Sequence, residues 1–282
     1  MNANSKYLLV TWDFTAVSDY ALAHAIKIAK PLNKHIRLIH IVDSKKLEAD
    51  EEKTGQLQAI VDKNIKNEGI EGYFVIKHGT IFDTISNYAA EIEANLVLMG
   101  THGVNGMQKL FGSKALKVVM GSKVPFIVVQ NQPNHSTKFS NIVFPIDFRW
   151  ENREKLSWAI YLGNYYETKI HIYRPPEKDT GLAKKVNMNI GFAVKFLMQN
   201  NIKYEIYTAE KKSTFEEETI NFAASINADL IIIMTTKNAS IADFMLGLSE
   251  QKLIANNAGI PIMCVNPRSH FVDMGQFMFS GR

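Results

Sequence analysis

Cysteine is almost absent: Cys264 is the only one in 282 residues. A single thiol excludes an internal disulfide framework and a four-cysteine zinc site. It lies in the apolar run Ile260-Pro-Ile-Met-Cys-Val265, which predicts a buried small side chain rather than a reactive thiol. No apolar run reaches the ~18 residues of a membrane span. Met1 to Lys6 is polar and lacks the apolar core of a signal peptide. The expectation is a cytoplasmic protein with no membrane partner. None of the eight histidines stands four residues from another, so no metal site is expected. Charge of one sign is also scarce. Lys plus Arg is 32 against 28 for Asp plus Glu, spread as 15 and 13 over residues 1–135 and 17 and 15 over 136–282. With no basic block and no aromatic stacking motif, a pI of 8.9 does not point to nucleic acid. What is there is ordinary: 46% apolar and 21% charged residues, which excludes disordered, collagen-like and coiled-coil chains. The length predicts about two domains.

Two stretches resemble each other at an offset of 134 residues. Tyr7-Leu-Leu-Val-Thr-Trp-Asp13-Phe14 matches Asn141-Ile-Val-Phe-Pro-Ile-Asp147-Phe148. Leu22, Ala25 and Ile26 match Leu156, Ala159 and Ile160. Asn95-Leu-Val-Leu-Met99 matches Asp229-Leu-Ile-Ile-Ile233, and Val124–Val129 matches Ile260–Val265 after two small insertions. Duplication is the reading, with a boundary in the polar stretch Gln130–Lys138. The domains expected are 1–133 and 138–268, followed by a tail over 269–282.

Within each half, apolar runs alternate with helical patterns. Tyr7–Val10, Ile36–Val42, Tyr73–Ile76, Leu96–Met99 and Phe126–Val129 read as strands covered on both faces. Ser18–Ala29, Leu47–Asn67, Ile81–Glu93 and Lys114–Met120 carry helical spacing. The alternation predicts an α/β fold: two tandem five-stranded parallel sheets joined by right-handed crossovers. Ligands then belong beyond the carboxyl ends of the strands. The last strand of each half should be a sheet edge, and exposed apolar edges invite pairing. The two halves are expected to pair with each other as a pseudo-dimer. A homodimer of such chains stays open as an alternative.

Three strand ends in the first half carry informative residues. Strand one ends in Thr11-Trp12-Asp13-Phe14-Thr15 and strand two in Ile41-Val42-Asp43. Strand four ends in Met99-Gly100-Thr101-His102-Gly103, with Gly112-Ser113-Lys114 further on. Gly100 and Gly103 allow close backbone approach to a ligand. Gly112-Ser113 opens a predicted helix, where free N–H groups favour an anion, and Lys109 and Lys114 add positive charge. This is a candidate phosphate cradle. It is neither the dinucleotide-binding glycine pattern nor a P-loop, because Lys114 follows Gly112-Ser113.

On these residues the chain resembles a tandem universal stress protein. That family has an Asp ending strand one and a strand-four motif of Gly, two residues, Gly, nine residues, then Gly-Ser or Gly-Thr. The resemblance covers nearly the whole chain, one copy per half. It implies an adenine nucleotide α-hydrolase-like (Rossmann-like) fold. It also implies ATP or another adenine nucleotide, with or without Mg, in the first domain. By position, Asp13 and Val42 would hold adenosine, Met99 would flank the base or ribose, and Gly100, Gly103, Gly112 and Ser113 would hold phosphate. The spacer Val104–Phe111 has eight residues where the family has nine. The second half keeps Asp147 and a nine-residue spacer between Lys237 and Gly247. However, Met234 and Lys237 replace the two glycines and Leu248 replaces the serine. Asp243 and Glu250 add negative charge there, and Glu250 would repel phosphate at a helix start by about 1 kcal/mol. The second half is therefore expected to bind no triphosphate, with Asp147 a satisfied carboxylate capping the helix that follows.

Two function classes follow. One is a nucleotide-binding stress-response regulator, with no catalytic residue identified beyond slow ATP hydrolysis. The other is a tandem protein-interaction module without nucleotide, whose protein partners the sequence does not identify. An adenylating ligase is disfavoured because Asp13-Phe-Thr-Ala-Val-Ser18 holds no glycine for a pyrophosphate loop.

Overall fold

The structure is a computed structural model that describes residues 5–42, 50–102, 117–120, 122–133, 139–150, 152–235 and 249–267. The first half runs β1 (Tyr7–Thr11), α1 (Ala16–Leu32), β2 (His35–Val42), α2 (Asp50–Ile60), β3 (Gly72–His78), α3 (Ile81–Glu91), β4 (Leu96–Gly100) and β5 (Phe126–Val129). The second runs β6 (Asn141–Pro145), α4 (Asn152–Tyr165), β7 (Lys169–Arg174), α5 (Thr180–Gln199), β8 (Lys203–Thr208), α6 (Phe215–Ser225), β9 (Leu230–Met234), α7 (Ser249–Ile254) and β10 (Ile262–Val265). The five strands expected in the first half form; β1, β2 and β4 are one residue longer, β3 is three residues longer and β5 matches. The helix expected over 47–67 is described from Asp50. It ends in a π turn, Val61–Ile65, and a 3-10 turn, Lys66–Glu68. Of the helix expected over 114–120, residues 117–120 are helical and the rest lies outside the described residues.

The ten strands among the described residues form one sheet in the order β3-β2-β1-β4-β5-β10-β9-β6-β7-β8. Every neighbouring pair is parallel except β5 with β10, which run antiparallel with Phe126 opposite Cys264 and Val128 opposite Ile262. Two parallel units thus meet edge to edge, and β3 and β8 become the outer strands. Reciprocal side-chain contacts reinforce the join. The Gln130 amide donates to the carbonyls of Ile254 and Asn256, and the Asn266 amide donates to those of Val119 and Ser122. Each half gives the other the same kind of bond, as a pseudo-twofold axis requires.

Both faces of the sheet are covered. Leu8 and Val10 join one core layer and Leu9 the other, as do Ile142 and Phe144 against Val143. This period-two split explains why the strands are nearly continuous in Val, Ile and Leu. Cys264 is fully buried between Met263 and Val265, and burial pushes its thiol well above the usual range. It is the inert core thiol that its apolar surroundings predict.

Candidate functional site

In the first half the winding reverses between β1 and β4: the chain runs outward through β2 and β3, then returns to β4 and β5. That is the place where a parallel sheet opens a crevice at its carboxyl edge. Asp13 follows β1 and Gly100 ends β4, so the two flank the crevice.

Asp13 is solvent-exposed and held by its own loop. Its Oδ1 accepts from Ser18 Oγ at 2.6 Å, Thr15 Oγ1 at 2.6 Å and the Thr15 N–H at 3.0 Å. The Asp13 N–H donates back to Ser18 Oγ at 2.9 Å. Oδ2 takes no hydrogen bond from the described residues. Partial burial pushes the Asp13 carboxyl up. The hydroxyls of Ser18 and Thr15, the Thr15 N–H and nearby His102 more than offset this and hold it below its ordinary value. The next residue, Phe14, has φ of +64°, which a bulky residue rarely adopts. Its ring stands edge-on to the His40 ring at 4.9 Å between centroids, and His40 Nδ1 lies 2.7 Å from the Trp12 carbonyl. The strand-one loop is thus tied to both β2 and the first turn of α1.

Gly100 has a packing reason of its own. A Cβ there would sit 2.1 Å from the Val17 carbonyl oxygen and 2.5 Å from its carbon, in the first turn of α1. No side chain fits against that backbone. Met99, next to it, is half-buried and pairs with Val128. Val42 ends β2 buried, and its carbonyl accepts from the Gly79 N–H at 3.1 Å. Asp13, Val42, Met99 and Gly100 therefore share one edge of three adjacent strands. Gly103, Gly112 and Ser113 lie outside the described residues, as do Lys109 and Lys114.

The same place in the second half is filled. Asp147 accepts from the Arg149 N–H at 2.8 Å and from Nε and Nη2 of its guanidinium, both at 2.8 Å. Asn152 Nδ2 completes the set at 2.6 Å. The other side of the guanidinium faces Glu250, with Nη1 3.7 Å from Oε1. Both Asp147 oxygens are spent, and the carboxyl lies below its ordinary value. Burial pushes it up, but the hydrogen bonds and charge of Arg149 outweigh that. Asn189, from α5, donates to the carbonyls of Asp147 and Arg149 at 3.0 and 2.9 Å and pins the loop. Beneath it the Lys155 ammonium donates to the Pro145 carbonyl and lies 4.6 Å from the Phe144 ring centroid. Lys155 is 1% exposed, and burial pulls its pKa down to about 7, with Asp147 opposing and Arg149 adding to the fall. A cavity of about 60 Å³ remains, lined by these groups with Met234 and Glu250.

Two expectations change here. Among the described residues Asp147 accepts from no backbone N–H of the following helix; its partners are Arg149 and the Asn152 side chain. Glu250, 5% exposed, faces an arginine of its own chain. Lys237, Asp243, Gly247 and Leu248 lie outside the described residues. The sequence reading missed Arg149, Asn152 and Lys155. They align with Thr15, Ser18 and Ala21, so a lysine on a helix face that buries alanine was the available signal. Among the described residues no group of three His, Cys, Asp or Glu could hold a metal, and no helix is long and apolar enough to cross a membrane.

Residues 5–130 match the profile of the Universal stress protein family. A curated universal stress protein from Methanocaldococcus jannaschii is 28% identical over 139 residues, covering 44% of this chain and 82% of that protein. Among solved structures, a universal stress protein from Archaeoglobus fulgidus superposes with a TM-score of 0.77 at 18% identity, covering 94% of this chain and 99% of that one. A putative universal stress protein from Pseudomonas aeruginosa gives 0.68 at 12% identity, covering 94% of each. At these identities the structural matches speak for the fold alone, and they do so across both halves.

Proposed function

We propose, from the premise that the first half of this chain belongs to the universal stress protein family and the second half repeats its fold, that the protein binds one adenine nucleotide per chain. The site is the β1/β4 crevice of a first domain over 1–133. The second domain, 138–268, carries the same site in a closed form. The chain then acts as a stress-response regulator whose conformation or partners shift with nucleotide occupancy.

One observation carries this reading. The two strand-end aspartates stand at the same place, but among the described residues Asp13 keeps an uncommitted carboxylate oxygen at an exposed edge while Asp147 has none. A free carboxylate oxygen there is suited to accept from ligand hydroxyls. In the second half Arg149 supplies the donors that a ligand would bring, and Met234 lines the same pocket. Gly100 itself does not decide the matter, because its contact with Val17 requires glycine with or without a ligand. The phosphate-binding role falls to Gly103, Gly112 and Ser113, and ATP, with or without Mg, is the ligand this motif fits.

The test is direct. The natively purified chain is denatured and its released small molecules are identified by mass spectrometry; the stripped protein is then titrated with ATP. One equivalent per chain is expected, reduced by Asp13→Ala and abolished by Gly103→Arg. Two equivalents would contradict the closed second site. No nucleotide, and no binding at about 1 mM ATP (a free energy near −4 kcal/mol), would leave a tandem interaction module as the function.

A further inference from the structure

We propose that the second half carries a ligand site of its own, for a small multiply charged anion, at the carboxyl ends of β7 and β8. A cavity of about 560 Å³ opens there, within the size range of small-molecule sites. It shares no lining residue with the closed pocket around Asp147.

Arg174 ends β7 and stands in register with Thr208, which ends β8. Its Nε donates to Thr208 Oγ1 at 3.0 Å and its Nη1 to Asn187 Oδ1 at 2.8 Å. Both acceptors are neutral. Among the described residues no carboxylate lies within ion-pair distance of this guanidinium. Two of its five donors are used to fix its plane, and its charge is left uncompensated. Such a fork matches two oxygens of a phosphate or carboxylate.

Two further cations reach the cavity, Lys178 and Lys211, and neither has an ion-pair partner among the described residues. Glu177 and Glu210 also reach it, but Glu210 is engaged by Lys212. Pro175 and Pro176 form a stiff wall without N–H donors. Lys211 is fixed by its loop. The Glu218 carboxylate accepts from the N–H groups of Glu210, Lys212 and Ser213 and so holds Lys211 at φ of +63°. A lysine held in that region is strained, and such strain gathers at ligand sites. Among the described residues the first half has no counterpart to Arg174. There the same register pair is His40 and Ile76, with His40 buried against the Trp12 carbonyl.

The full chain is titrated by calorimetry with pyrophosphate and, separately, with citrate. The place of binding is read from protection of Lys178 and Lys211 against acetylation, by peptide mass spectrometry. At least one anion is expected to bind saturably and to protect both lysines. Affinity should fall about tenfold or more in Arg174→Ala, the worth of one charge-assisted hydrogen bond. Lys211→Gly removes a cation while relieving the positive φ, so it should fold well and still bind more weakly. Preference for pyrophosphate identifies a phosphorylated ligand, and preference for citrate a polycarboxylate. Absence of protection with both anions, or unchanged affinity in Arg174→Ala, overturns the proposal. An anion held by the first-half glycine loop would leave both lysines reactive and so counts against it.

Discussion

Lys155 offers the sharpest test of the closed second site. Its ammonium is buried under the Arg149 loop, with the Pro145 carbonyl of β6 as its hydrogen-bond partner and the charges of Asp147 and Arg149 acting on it from the loop that follows β6. Glu216 from α6 and Glu250 from α7 line the same cavity. Burial holds its pKa near 7, against 10.5 in an unfolded chain. Between those values the unfolded state binds the extra proton, so stability must rise with pH through that window and fall as pH drops toward 7. One proton limits the slope to about 1.4 kcal/mol per pH unit. From pH 7 to 9 that amounts to about 2–3 kcal/mol, or roughly 5–10 °C in the melting temperature of a chain this size. Lys155→Met fills the same space without a titrating group. Thermal melts of both proteins at pH 6.5, 7.5, 8.5 and 9.5 isolate the effect, because every other titrating group is common to the two. The wild type should gain on the variant as pH rises. Parallel curves across the window would refute the reasoning and place the Lys155 proton outside it.

Two substitutions probe the crevices themselves. Gly100→Ala puts a Cβ 2.1 Å from the Val17 carbonyl oxygen, so the first turn of α1 must move; chemical denaturation should register a loss of about 1–3 kcal/mol or more. Because Ser18 in the same turn holds Asp13, ATP affinity should weaken with it. Arg149→Ala removes the guanidinium that stands between Asp147 and Glu250. The loss should be about 1–2 kcal/mol, below the ~3–5 kcal/mol of a fully buried pair, because Arg149 is 37% exposed. The variant should still take up only one nucleotide equivalent, since Met234 and Glu250 remain; a second equivalent in the ATP titration would show that Arg149 alone closes the site.

Much of the molecule was determined by sequence alone. The duplication, the strand positions and the parallel α/β class follow from apolar runs and spacing, which are local and repeated. The pairing of the last strands follows from their apolar character, because an uncovered edge of Val and Ile leaves backbone groups without partners. Asp13, Val42, Met99 and Gly100 could be named because a parallel sheet gathers its strand ends on one edge. The tertiary structure alone decided what each of them meets. Gly100 is explained by a helix turn more than eighty residues earlier in the chain, which no local pattern reports. The arginine two residues after Asp147 reads as a surface charge until folding brings Glu250 to its other side. Arg174 likewise becomes notable only when β8 delivers Thr208 and α5 delivers Asn187. Composition and spacing record which groups a chain has. Whether a charge is spent or left free depends on neighbours distant in sequence, and only the folded chain supplies them.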